Sequence, residues 1–96
     1  MIDCIKRIAE QVIEELMDSQ KYIDDAYKHR ESHPELADLY RDLSADELSH
    51  AERLHDRGSE LVDAADDHDA RVIWDWETDK VQRWTKDIKV KHEMYR

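Results

Sequence analysis

Three side chains able to ligate a metal interrupt helical stripes that are otherwise apolar. Glu15 falls among Ile8, Ser19, Tyr22 and Ala26. Glu47 points within roughly 40° of Leu36, Tyr40, Leu43, Ala51 and Leu54 at about 100° per residue, which places it near the middle of an expected buried face. His50, three residues on, adjoins it on the same side. Glu14, by contrast, shares its direction with Glu10, Asp18, Lys21 and Asp25 and reads as solvated. Burying an unpaired carboxylate costs on the order of several kcal/mol, so it takes a proton, finds a partner or binds a cation. Carboxylate oxygen with imidazole nitrogen suits iron, manganese or zinc better than calcium, which prefers all-oxygen sites. The metal-free alternative is a buried polar cluster that fixes helix register.

Helices must position these groups. One Gly and one Pro in 96 residues leave few sharp turns and favour long helices over strands. Apolar periodicity predicts a first helix from about Asp3 to Arg30, with Ile5, Ile8, Ala9, Val12, Ile13, Leu16, Ile23, Ala26 and Tyr27 on one broad face. It ends near Glu31–His33, because Pro34 disfavours helical geometry at His33. Pro34 suits the first turn of a second helix, whose apolar residues include Leu36, Leu39, Tyr40, Leu43, Ala51, Leu54, Leu61 and Val62. Gly58 lies inside that pattern and permits a break without requiring one. The short connection makes the two helices antiparallel neighbours. Residues 1–62 thus read as a helical hairpin and residues 63–69 as a solvated acidic hinge. Residues 70–96 read as a C-terminal amphipathic helix with a thinner stripe of Ala70, Ile73, Val81, Trp84, Ile88 and Tyr95, all within one domain.

The stretch from Ala37 to Leu54 holds Tyr40, Leu43, Glu47, His50 and Ala51, an aromatic and a small residue around Glu-x-x-His-Ala. It resembles the second helix of rubrerythrin-like and other ferritin-like di-iron proteins. Glu15, followed by Tyr22 and Ala26, is similar to the first helix of that superfamily. The resemblance covers residues 8–62. It implies a site built from one Glu on each of two helices and Glu-x-x-His on each of two others. This chain carries half of that set, because neither Glu77 nor Glu93 in the third helix has a histidine three residues later. A two-fold homodimer, or a larger homo-oligomer, would supply the rest and complete a four-helix bundle, as in encapsulated ferritins, which build a di-iron site between short subunits. On that resemblance Glu47 bridges two irons per interface, Glu15 and His50 are terminal ligands, and Tyr22 hydrogen-bonds behind them. The implied activity is ferroxidase chemistry, with manganese or zinc as alternative metals. The C-terminus Lys89–Arg96 does not resemble an encapsulin-targeting tail, so no encapsulin shell is expected as a partner.

Other residues take plainer readings. Glu52 and His55 form a second Glu-x-x-His, but Glu52 points outward with Asp56 and Asp63 and is read as a solvated face. Glu77, near Ile73, Val81 and Trp84, is a candidate extra ligand, with pairing to Lys80 or Arg83 the preferred role. His29 and His33 flank a helix end and read as surface residues. Trp74, Trp76 and Trp84 do not share one face, so the third helix packs between two surfaces or one Trp anchors an interface.

Charge narrows the partners. The formal net charge is −10, with 8 basic and 20 acidic side chains in residues 1–69 against 7 and 5 in residues 70–96. That balance argues against a binder driven by nucleic-acid phosphates. No run of 18 apolar residues suggests a membrane span. A lone Cys4 suits a reducing compartment, giving a cytoplasmic expectation. The sequence-based reading is therefore an all-α chain, a ferritin-like metal-binding subunit that oxidises iron at a dimer interface. Its rival is a metal-free helical assembly or interaction protein that keeps the hairpin.

Overall fold

The computed structural model describes residues 1–96 as three α-helices and no strands: α1 (Ile2–His29), α2 (Pro34–Ala65) and α3 (His68–Met94). None is long and apolar enough to cross a membrane. The molecule is a slender rod, 52 × 17 × 14 Å, because helices of about 30 residues run about 45 Å at 1.5 Å per residue.

Local chemistry fixes the helix ends. Pro34 occupies the first turn of α2, where its missing N–H costs nothing. The second connection is tighter than the expected hinge over residues 63–69. Residues 63–65 continue α2, residues 68 and 69 already belong to α3, and only Asp66 and Asp67 turn the chain. Asp66 adopts the left-handed conformation (φ 50°, ψ 46°), which short polar side chains tolerate. Asp67 then caps α3, its carboxylate accepting from the Ala70 N–H at 3.1 Å. Two aspartates with separate backbone roles replace a seven-residue linker.

The core follows alternating steps of four and three. On α1 it takes Ile5, Ala9, Val12, Leu16, Ser19, Ile23 and Ala26. On α2, small residues recur every seventh position, as Ala37, Ser44, Ala51 and Gly58, with Leu48 and Val62 beside them. The larger α1 side chains fill the space that this column leaves. Ser19 and Ser44 are fully buried where α1 and α2 approach. The Ser19 hydroxyl donates to the Ser44 carbonyl at 2.8 Å, and the Ser44 hydroxyl donates to the Ser19 carbonyl at 2.6 Å.

This packing rotates α2 relative to the expected buried face. Leu36 and Leu39 are exposed, while Tyr40, Leu43 and Leu54 are only half-buried. Ser44 of this small-residue column meets Ser19 of α1, and Gly58 at its far end meets Trp74 of α3. The larger apolar side chains of α2 are left to flank the seam. Gly58 does not interrupt α2; its hydrogen marks the place where the Trp74 indole of α3 packs against the helix.

α3 lies on one flank of the hairpin. It runs parallel to α1, with Trp84 Nε1 donating to Gln20 Oε1 and the Tyr27 hydroxyl donating to the Lys91 carbonyl at 2.6 Å. Towards α2, Trp74 Nε1 donates to Ser59 Oγ at 3.0 Å, and Lys89 pairs with Glu52 at 3.1 Å. At about 100° per residue, Gln20 stands roughly 140° from Glu15, and Glu52 roughly 140° from Glu47. α3 therefore covers one side of the hairpin and leaves Glu15 and Glu47 on the other.

Candidate metal centre

The open flank is lined by Ile8, Glu15 and Tyr22 from α1 and by Tyr40, Glu47 and Leu54 from α2, all half-buried. Each set repeats every seventh residue, one column per helix beside the core. Antiparallel pairing brings the middle of the columns to one level, so Glu15 meets Glu47, and His50 reaches them from the next turn of α2. One ligand atom from each of the three lies within 4.8 Å of the others. His50 Nδ1 stands 3.6 Å from Glu15 Oε2 and 3.8 Å from Glu47 Oε1, too far for a direct hydrogen bond and spaced for a shared cation.

Burial grades across the triplet. The Glu15 and Glu47 side chains are 28% and 22% exposed, and His50 is 49% exposed. Glu47 is thus a seam residue instead of the centre of a buried face, a consequence of the rotation of α2. Glu15 Oε2 is itself buried and accepts from no N–H or hydroxyl group, so its charge is eased only by a proton on the neighbouring Glu47 carboxyl or by a cation. The Glu47 carboxyl is pushed up from 4.5 to about 7, first by its hydrogen bond with the Glu15 carboxyl, then by burial and by the Glu15 charge. His50 acts weakly the other way. Two carboxyls held this close share a proton or a cation.

This donor set fits a first-row transition metal. Two carboxylates and one imidazole supply three ligands of the type that iron, manganese and zinc accept, and the exposed edge of His50 leaves further positions open.

The remaining candidates lie elsewhere. Tyr22 stacks on Tyr40, ring centroids 6.0 Å apart, and its hydroxyl makes no hydrogen bond to the triplet within this chain. Glu77 lies in the groove between α1 and α3 with Lys6, Glu10, Ile13, Glu14 and Lys80, outside the triplet. It forms no salt bridge there; Arg83 pairs with Asp79 at 2.8 Å. Glu52 keeps the solvated direction the sequence suggests, its side chain 44% exposed, whereas His55 is drawn against α3. Glu52 pairs with Lys89, and His55 bonds Thr78 Oγ1 at 2.9 Å and stacks on Trp74 at 4.9 Å, because α3 covers that flank. The two remain outside any metal-binding grouping. His29 packs its ring against His33 and Tyr40 at the hairpin end.

Sequence reasoning missed the Ser19–Ser44 pair and its third member, His92. His92 Nε2 stands 2.9 Å from Ser44 Oγ. A seven-residue recurrence of small residues on α2 was the available signal, since it marks where another backbone comes close.

Comparison with protein-family models, with curated proteins and with solved structures gives no match for this chain. The functional reading therefore stands on the geometry of the open flank.

Proposed function

We propose that this chain is a metal-binding subunit whose Glu15, Glu47 and His50 hold a transition metal. In this reading two copies join their open flanks into a four-helix bundle with a ferritin-like dinuclear iron centre. The observation that carries the reading is the buried Glu15 Oε2, which accepts from no N–H or hydroxyl group and faces Glu47 and His50 on the flank that α3 leaves uncovered. A cation would satisfy that oxygen and displace the proton held by Glu47. A second copy would cover the half-buried Ile8, Leu54, Tyr22 and Tyr40 around the triplet, and the exposed Leu36 adds apolar area at the edge. Glu15, Glu47 and His50 of the two copies would then hold the metal pair with four carboxylates and two imidazoles. The chemistry supported is oxidation of Fe(II) by dioxygen or peroxide, with iron as substrate and the carboxylates neutralising its charge.

Metal analysis of protein from iron-supplemented cultures, with molecular mass measured in parallel, tests this directly. The expected result is iron bound by the wild-type chain and lost in Glu47→Ala, with a dimer that weakens after chelation. Equal, negligible iron in both proteins would overturn it. Bound zinc or manganese without ferroxidase activity would keep the site and remove the redox role.

The exposed Trp76 favours a second reading, an assembly protein that keeps the hairpin and no metal. It is 73% exposed, and tryptophan is a residue type enriched where two protein surfaces meet. This reading expects Glu47→Ala and His50→Ala to leave assembly intact, and metal-dependent dimerisation would exclude it.

A further inference from the structure

The outer face of α3 is as regular as its buried one. Val72, Trp76, Asp79, Arg83, Lys86 and Val90 follow alternating steps of four and three. At about 100° per residue they all fall within about 40° of one line along the helix. Ala70, Trp74, Val81 and Ile88, which seat α3 on the hairpin, point roughly the opposite way. Steps of four and three are the spacing at which one helix packs along another. All six outer residues are exposed, and the three apolar ones strongly so: Trp76 at 73%, Val72 at 54% and Val90 at 42%. Since α3 covers one side of the hairpin and the Glu15–Glu47 flank lies on the other, this face is separate from the metal centre.

Its residue types are complementary to themselves. A second α3 laid antiparallel, with position 81 as the centre, sets Val72 against Val90, Trp76 against Lys86 and Asp79 against Arg83, each contact made twice. The three layers are an aliphatic pair, a cation over an indole and an ion pair. Within one chain Arg83 already reaches Asp79 at 2.8 Å, with both side chains more than 70% exposed. Two such pairs meeting antiparallel form a ring of alternating charges, reached by side-chain rotation alone. A parallel arrangement would instead stack Asp79 on Asp79, Arg83 on Arg83 and Lys86 on Lys86, and like charges in successive layers oppose docking.

From this self-complementarity we propose that the outer face of α3 is a homotypic docking surface, which pairs antiparallel with the same face of a second copy about a two-fold axis near Val81. Burial of Trp76, Val72 and Val90 supplies the affinity, and the charged layers set orientation and register. The seam from Val72 to Val90 runs about 27 Å at 1.5 Å per residue. The pairing needs no metal and so goes beyond the function proposed for Glu15, Glu47 and His50. With both interfaces in use, two-fold contacts on opposite sides of the chain would link copies into a larger assembly. Chelation would then reduce that assembly to pairs joined through α3.

Sedimentation of the full chain in the presence of a chelator tests the surface without metal-bridged flanks. The wild-type chain is expected to associate reversibly. Asp79→Arg alone and Arg83→Asp alone should each weaken association by about tenfold or more, because each sets like charges face to face. An equimolar mixture of the two variants should recover it, since every charged layer of the mixed pair again joins opposite charges. A wild-type chain that stays monomeric, or a mixture that associates no better than either variant, would overturn the proposal. Orientation has its own readout in a Cys4→Ser background. Oxidation should join Val72→Cys chains to Val90→Cys chains, and preferential linking of Val72→Cys chains to one another would defeat the antiparallel arrangement.

Discussion

The indole of Trp74 occupies the space that a side chain at position 58 would need, so the single glycine of this chain is the seat of a tryptophan. The glycine is a packing device inside an unbroken helix. Trp74 is 3% exposed, hydrogen-bonds Ser59 and supports the ring of His55.

Gly58→Ala is therefore expected to destabilise the chain even though alanine is the better helix former by about 1 kcal/mol. An added methyl group must displace the ring, and overpacking of this kind costs about 1–3 kcal/mol. Urea denaturation compares the two terms, and a more stable Gly58→Ala protein would show that the indole moves freely.

The three tryptophans should respond unequally to truncation. Trp74→Ala removes a buried ring and is expected to cost about 3–5 kcal/mol. Trp76→Ala removes a ring that is 73% exposed and should change the stability of the single chain by less than about 0.5 kcal/mol. Trp84 lies between them, half-buried with its N–H on Gln20. Thermal melts at low protein concentration, where association is minimal, give the comparison.

Ser44→Ala strips the α1–α2 seam of a hydroxyl that bonds the Ser19 carbonyl at 2.6 Å and meets His92 Nε2 at 2.9 Å. A loss of about 1–3 kcal/mol is expected. Adding Ser19→Ala should cost less than the sum of the two single effects, because the pair acts as one network. Additivity in a double-mutant cycle would contradict that coupling.

Glu47 gives the metal-free protein a pH dependence of known sign. Its carboxyl, pushed up to about 7 from 4.5, binds its proton more tightly folded than unfolded. Its contribution to stability is whole below about pH 4.5, declines as pH rises towards about 7, and then levels. Glu47→Gln should remove this slope and be the more stable protein at pH 8. His55 and His92, which burial holds below their ordinary value, contribute with the opposite sign, losing stability as pH falls below about 6.5.

Metal binding should release a proton near neutrality, since a cation between Glu15 and Glu47 replaces the one they share. Apparent affinity for Mn(II) or Zn(II) is expected to weaken as pH falls through about 7. Calorimetry in buffers of different ionisation enthalpy measures the released proton, and its absence would show that the metal binds elsewhere.

The sequence by itself determined the helices and the level at which the candidate ligands meet. Pro34 ended one helix and began the next, for the steric reason that proline imposes on its neighbour. Helical periodicity put Glu15 on the side of Ile8 and Tyr22 and put Glu47 beside Tyr40 and Leu54, and a short turn made these faces adjacent. Only the tertiary structure decided which face of α2 is buried. Apolar residues are plentiful on both of its sides, and the choice fell to Ala37, Ser44, Ala51 and Gly58 because small side chains let α1 and Trp74 approach closely. That choice moved Glu47 from an expected core to a seam, drew His55 against α3, and gave Trp74 and Trp76 opposite environments two residues apart. Periodicity reports the direction of a side chain on its own helix. Which neighbour occupies that direction depends on the complementary volumes of residues far apart in the chain, and those become visible only when the helices are packed.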